Sequence, residues 1–139
     1  MKRILVVSSN FSSAHLYKND DMTDAQNRRA FGRCYTDHGH GHNYKLETGF
    51  LIDPKLSEDE VMKTKNALEQ SILSLTTVLD HEHLNFVIPE FQKTVPTTEN
   101  ILLYFEKKLL ALKLKNKLAF IKLFEMENLY SEKYYVTVY

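Results

Sequence analysis

The sequence predicts an α+β domain in which a four-stranded antiparallel sheet, in the order β-β-α-α-β-β, carries two helices on one face. Three observations lead there. Short apolar or alternating segments sit at both ends of the chain, around residues 3–11, 40–52, 118–126 and 133–139. Between the second and third of these, apolar residues recur at helical spacing in two separate stretches. The length of 139 residues, with 43% hydrophobic and 26% charged side chains, suits one core, so a single domain spanning 1–139 is expected.

Each element has a local reason. RILVVSSNF, residues 3–11, is β-branched and apolar enough for a buried strand, and it runs straight into SSAH, which puts His15 at the strand's end. Residues 17–31 are polar without a sustained period and read as a surface excursion, with at most a helical turn started by Thr23 or Asp24. From His40 to Ile52 alternation returns, with Tyr44, Leu46 and Thr48 on one side and Lys45, Glu47 and Gly49 on the other. Ser57 and Glu60 have the spacing at which each side chain satisfies the other's free backbone N–H, so a helix begins near Glu58. Its apolar stripe is Val61, Leu68, Ile72, Leu75 and Leu79. A second helix opens after Pro96, with Leu102, Phe105, Leu109 and Leu112 facing inward. Two closing strands, 118–126 and 133–139, are joined by the polar ENLYSEK. Four strands leave two open edges, which favours a homo-oligomer.

Eighteen basic and eighteen acidic side chains cancel, so no global field favours nucleic acid or an anionic membrane. The apolar run Ile4–Val7 is too short for a secretory signal, and no stretch approaches the ~20 residues of a membrane span. One cysteine excludes an internal disulfide framework. A cytoplasmic location with a free Cys34 is the simplest expectation.

The segment CYTDHGHGHNYKLE, residues 34–47, concentrates the chemistry. Strand residues rise about 3.3 Å each, so His40 and His42 share a face with roots roughly 7 Å apart and converge on one metal ion. His38 would stand roughly 13 Å from His42, which forces nearly opposite approaches on ligands that zinc takes tetrahedrally. The third ligand must come from elsewhere, and His15 is best placed. Glycines at 39 and 41 suit the close approach of another backbone or a ligand.

F-S-S-A-H (11–15), F-G-R-C (31–34), H-G-H-N-Y-K (40–45), L-D-H-E-H-L-N (79–85), P-T-T-E-N (96–100) and F-E-M-E-N (124–128) resemble, in order, the motifs of the 6-pyruvoyl-tetrahydropterin synthase family, which also contains the 6-carboxy-tetrahydropterin synthases of queuosine biosynthesis. The five residues between Cys34 and His40 resemble the pyruvoyl-forming enzymes. The resemblance implies a tunnelling fold whose subunits close into an oligomeric barrel, a homohexamer built as a dimer of trimers with active sites between subunits. It implies one Zn2+ per site on His15, His40 and His42. It also implies a reaction in which 7,8-dihydroneopterin triphosphate loses triphosphate to give 6-pyruvoyl-tetrahydropterin, a step of tetrahydrobiopterin biosynthesis.

Carried onto this sequence, the family's catalytic groups fall on Cys34, as a proton-abstracting base, and on the Asp80 and His81 pair, as a second proton-transfer group. Glu125 corresponds to the carboxylate that anchors the pterin, with Thr98 and Glu99 as further contacts. From the residues alone Cys34 is equally a fourth zinc ligand, and Glu127 should share the strand face of Glu125. His83 has no role to transfer. Arg28, Arg29, Arg33 and Lys45 are candidates for the triphosphate. The alternatives are a 6-carboxy-tetrahydropterin synthase and a non-catalytic zinc-stabilised module with a closed His3Cys site.

Overall fold

A computed structural model describes residues 1–137. Strand β1, Arg3–His15, pairs antiparallel with β2, His40–Ile52, over their full length, so that Arg3 lies opposite Ile52 and His15 opposite His40. Strand β4, Leu118–Met126, runs along β2, and β5, Leu129–Tyr134, forms the outer edge. The other edge is a two-residue strand, β3, Glu82–His83, parallel to β1, which gives the order β3-β1-β2-β4-β5. Helices α2, Glu58–Thr76, and α4, Thr98–Ala111, pack on one face of the sheet. The expected α+β architecture is therefore present, with a fifth strand added.

The core lies between that face and the helices. Val7 and Phe11 of β1, Tyr44, Leu46 and Phe50 of β2, and Ile121 and Leu123 of β4 meet Leu68 and Ile72 of α2 and Ile101, Leu102, Phe105 and Leu109 of α4. Removing such a side chain from water stabilises by about 1.5–3 kcal/mol each, which outweighs the weak propensities of these short strands. Phe11 stacks on Tyr44 with ring centres 4.9 Å apart and planes 7° from parallel, and it meets the edge of Phe105 at 5.4 Å. This aromatic layer is the floor under the site described below.

The caps follow the sequence. Ser57 accepts from the Glu60 backbone N–H while Glu60 accepts from that of Ser57, and Thr97 caps α4 by accepting from Asn100. Four expectations need correction. The excursion at 17–31 contains a full helix, α1, Asp24–Phe31, with a capping box between Thr23 and Gln26. Its buried anchor is Asn27, whose amide bonds to the backbone of Asn19, Met22 and Thr23, so no apolar period marks it. Strand β5 begins at Leu129 rather than 133, because the hairpin turns on Glu127 and Asn128 alone; of the expected strand, residues 138 and 139 lie outside the described residues. The segment after α2 is not a plain connection but holds β3 and a short helix α3, Leu84–Val87. Leu112, expected in the core, follows the last turn of α4 and is exposed, while Ile101 takes an inward position.

The segment 79–85 is stitched to β1 along its outer edge. The Leu79 carbonyl accepts from the Ser13 hydroxyl, Asp80 accepts from the Ser12 N–H, and the His81 N–H donates to the Ser12 carbonyl. Asn85 then holds both backbone groups of Leu16, at 2.9 and 2.7 Å. These bonds fix the end of β1 one residue beyond His15.

Candidate metal centre and active site

Three histidines meet where β1 ends and β2 begins. His15 is fully buried, and His40 and His42 are partly covered. One ring nitrogen from each lies within 4.8 Å of the others. His15 Nε2 and His40 Nε2 are 3.3 Å apart. A tetrahedral zinc with arms of 2.0–2.1 Å has ligand atoms roughly 3.3 Å apart along each edge. The observed spacing is that of a ligand pair, and the donor set of three imidazoles leaves the fourth corner open, as a catalytic zinc site requires.

Glycine makes this approach possible. Gly39 has φ +74°, and a Cβ there would overlap the His15 carbonyl. The conformation and the contact both demand glycine, so the reading of Gly39 as a point of close backbone approach holds. His38 points away, and its carbonyl accepts from His83 Nε2 at 3.1 Å.

Two of the imidazoles, His15 and His42, are biased toward the neutral form. Burial, followed by the neighbouring His42 and His40, lowers the pKa of His15 from 6.5 to about 3. Burial also lowers that of His42, against the opposing pull of Glu125. Neutral rings offer lone pairs to a metal at neutral pH. In the metal-free protein the unfolded chain protonates His15 near 6.5 and the folded chain only near 3. Stability is therefore complete above about pH 6.5 and is lost as pH falls toward 3, at up to about 1.4 kcal/mol per pH unit from His15. Urea unfolding of metal-free protein at pH 7 and pH 5 should show this loss, and His15→Gln should flatten it; equal slopes in both proteins would contradict the assignment.

Glu125 is the fourth member of this end of the sheet. It is 5% exposed, and one carboxylate oxygen lies 3.5 Å from both His15 Nε2 and His42 Nε2 without a hydrogen-bond partner. A buried carboxylate oxygen left unbonded marks a place for a ligand's donors. Glu127, by contrast, lies in the hairpin turn and is exposed, so the two glutamates do not share a face. The irregular pairing between Phe124 and Met126 ends the strand before that residue.

Cys34 closes a 3-10 turn, Gly32–Cys34, and is partly buried. Its carbonyl accepts from the Tyr17 N–H at 2.8 Å. The thiol lies outside the imidazole cluster, so the closed His3Cys site is not formed. Burial, and then Glu125, push the thiol pKa up. Tyr17 belongs to the same wall. Its ring packs on His15 at 4.9 Å and on Phe31 at 5.8 Å, and its phenol senses Glu125, Cys34, Glu99 and Thr98. Thr98 is buried and Glu99 exposed at the first turn of α4. The resemblance transfers no role to Tyr17 or Tyr44, yet both touch His15. Strand parity alone would have found Tyr44, which shares a face with His40 and His42.

Asp80 and His81 form a pair but stand elsewhere. Asp80 Oδ2 is 2.9 Å from His81 Nδ1, and the Ser12 N–H and the imidazole together lower the carboxyl pKa. His81 has φ +61°, a left-handed conformation uncommon for a residue with a Cβ, held by its N–H on Ser12. Its side chain is 84% exposed over a depression lined by residues 12–14, 41–43, Glu82 and His83, of which Ser12, Ala14, Gly41 and Asn43 have the opposite parity to the three metal-facing histidines. A single chain thus gathers His15, His40, His42, Glu125, Cys34 and Thr98 and leaves Asp80 and His81 on the other face. Lys45 is also on that face, above the Phe124 ring; Arg28, Arg29 and Arg33 are exposed on and after α1.

An antiparallel sheet with two helices on one face and an imidazole triad at the end of its first strand pair defines a tunnelling-fold enzyme. The sequence matches the family model described as 6-pyruvoyl tetrahydropterin synthase over residues 4–134, and the chain belongs to that family. It is 31% identical to human 6-pyruvoyl tetrahydrobiopterin synthase over 121 residues, 85% of this chain and 81% of the human one. It is 32% identical to the Dictyostelium discoideum protein of the same name over 123 residues, 85% of each. The solved structure of 6-pyruvoyl tetrahydropterin synthase from Caenorhabditis elegans superimposes with a TM-score of 0.85 at 24% identity, covering 98% of this chain and 97% of that one, and so shares the fold. Among the described residues no helix is long and apolar enough to cross a membrane.

Proposed function

We propose that the protein is a zinc-dependent lyase that converts 7,8-dihydroneopterin triphosphate to 6-pyruvoyl-tetrahydropterin with elimination of triphosphate. The observation that carries this reading is an imidazole triad whose ring nitrogens lie within 4.8 Å of one another, one pair at 3.3 Å, beside an unbonded buried carboxylate oxygen. His15, His40 and His42 would hold Zn2+, which when bound would supply a Lewis acid for the substrate's side-chain oxygens.

The protein groups divide the remaining work. Glu125 accepts the 2-amino and N3–H donors of the pterin in bidentate fashion, with Thr98 and Glu99 beside it. Pairing the carboxylate with those donors weakens the smaller of the two influences that hold the Cys34 thiol up, while burial, the larger, stays. Cys34 then takes the proton from the side-chain carbon. Asp80 accepts from His81 Nδ1, which fixes the tautomer and leaves Nε2 to pass protons.

Because Asp80 and His81 face away from the triad of their own chain, the complete site takes this pair from a neighbouring copy. The exposed edge strand β5 and the strand end at His81 suit a homohexamer made from two trimers. A reducing cytoplasm suits an enzyme with a functional free thiol. The experiment that tests the reading is product analysis after incubation with 7,8-dihydroneopterin triphosphate. The expected products are triphosphate and 6-pyruvoyl-tetrahydropterin; release of acetaldehyde with 6-carboxy-tetrahydropterin would replace the assignment with that of a 6-carboxy-tetrahydropterin synthase.

A further inference from the structure

We infer that Tyr44 is a positioning residue for the metal centre, its phenol accepting the His15 Nδ1–H and so presenting His15 Nε2 as a bare lone pair toward His40 and His42. This rests on the reading of the triad as a metal site, and it adds a residue to which the resemblance transfers no role.

Tyr44 Oη is 2.8 Å from His15 Nδ1, and both side chains are buried, at 1% and 0% exposure. In so dry a place each polar atom must find its partner within the protein. A neutral imidazole carries one proton, and its position decides which nitrogen can bind a metal. If the phenol donated to Nδ1, the proton of His15 would sit on Nε2, aimed at His40 Nε2 3.3 Å away and at the Glu125 oxygen 3.5 Å away. The triad would then hold one ligand in the wrong form. The form that serves a metal carries the proton on Nδ1, where Tyr44 Oη, 2.8 Å away, accepts it and leaves Nε2 bare.

The ring stacks on Phe11 at 4.9 Å with planes 7° from parallel, a packing that a phenylalanine at position 44 keeps. Outer partners of this kind orient a metal-binding imidazole and raise its basicity, and their loss weakens metal binding about 10–100-fold.

The test is the zinc affinity of the full-length protein, measured by competition with a chromogenic chelator. Tyr44→Phe keeps the stacked ring and removes the oxygen, and a tenfold to hundredfold weaker affinity is expected. Phe11→Leu disturbs the same layer without touching the phenol and should change affinity by less than threefold. Affinity of Tyr44→Phe within twofold of the parent, or an equal loss in Phe11→Leu, would overturn the inference. A second measurement uses the unaltered chain and decides the matter even where a variant does not fold. In the metal-free protein, nitrogen-15 NMR of His15 should show the Nδ1–H tautomer with a slowly exchanging proton, and an Nε2–H tautomer would overturn it. A parent protein that binds no zinc refutes the metal-site reading instead, which keeps the two failures apart.

Discussion

Cys34→Ala should lower the rate of triphosphate release by about 10²–10⁴-fold, the range by which a positioned base contributes, while zinc content stays at the parent level. Two facts make the two readouts separable. The thiol lies outside the cluster of ring nitrogens, so it is not needed to hold the ion. It is also partly buried, on a turn whose carbonyl accepts from the Tyr17 N–H just beyond the end of β1. Its surroundings in the metal-free chain push the thiol up, so the base form depends on the ligand and the ion that arrive. Initial rates with 7,8-dihydroneopterin triphosphate, read beside metal analysis of the same sample, check both halves. Loss of zinc along with activity would make the cysteine a ligand. Mixing Cys34→Ala chains with His81→Ala chains under conditions that exchange subunits should restore part of the activity, because some sites in the mixed oligomer then carry both intact groups.

Gly39→Ala should destabilise the protein by about 3 kcal/mol and reduce bound zinc well below the parent value. Two costs add at this position. The φ of +74° penalises any side chain by about 1–3 kcal/mol. The new methyl group also overlaps the His15 carbonyl and touches Leu16, so β1 and β2 must separate where His15 faces His40. A shift of a few tenths of an ångström between those strands breaks the 3.3 Å spacing of the ring nitrogens. Gly41→Ala is the comparison: a Cβ there would stand 3.3 Å from the Ser13 carbonyl oxygen, a tight contact that small movement relieves. Urea midpoints and zinc content of the two variants check this order, and an equal or larger loss in Gly41→Ala would contradict it.

Much of this was legible in the residues because the governing periods are short. The two-residue repeat placed His40 and His42 together and removed His38, and the end of an apolar strand placed His15. The Ser57 and Glu60 spacing located the start of α2 to the residue. The missed elements share one property: their stabilising contacts are polar or on one exposed edge. Helix α1 is anchored by Asn27, an amide that no hydrophobic pattern counts. Strand β5 is an edge with most residues exposed, so alternation does not show where it starts. Strand β3 is two residues held by backbone bonds to Ser13 and Ala14.

The site divides in the same way. Motif likeness offered Glu125, and strand parity set Glu127 on the same face, but the turn at 127 and 128 separates them. The adjacency of Asp80 and His81 was visible in the chain, but the face they occupy depends on the pairing of residues 80–83 with the outer edge of β1, a contact 68 positions away in sequence. Alternation placed Tyr44 on one side of β2 with Leu46 and Thr48, and only its position beside His15 shows what the polar end of the ring meets.

The most direct test is metal analysis of protein purified without chelators, by inductively coupled plasma mass spectrometry, on the parent and on the triple variant His15→Ala, His40→Ala, His42→Ala. Close to one zinc per chain is expected in the parent and less than about a tenth of that in the variant, since removing all three ligands leaves no zinc site. A parent protein without stoichiometric metal, or a folded variant that keeps its zinc, would contradict it.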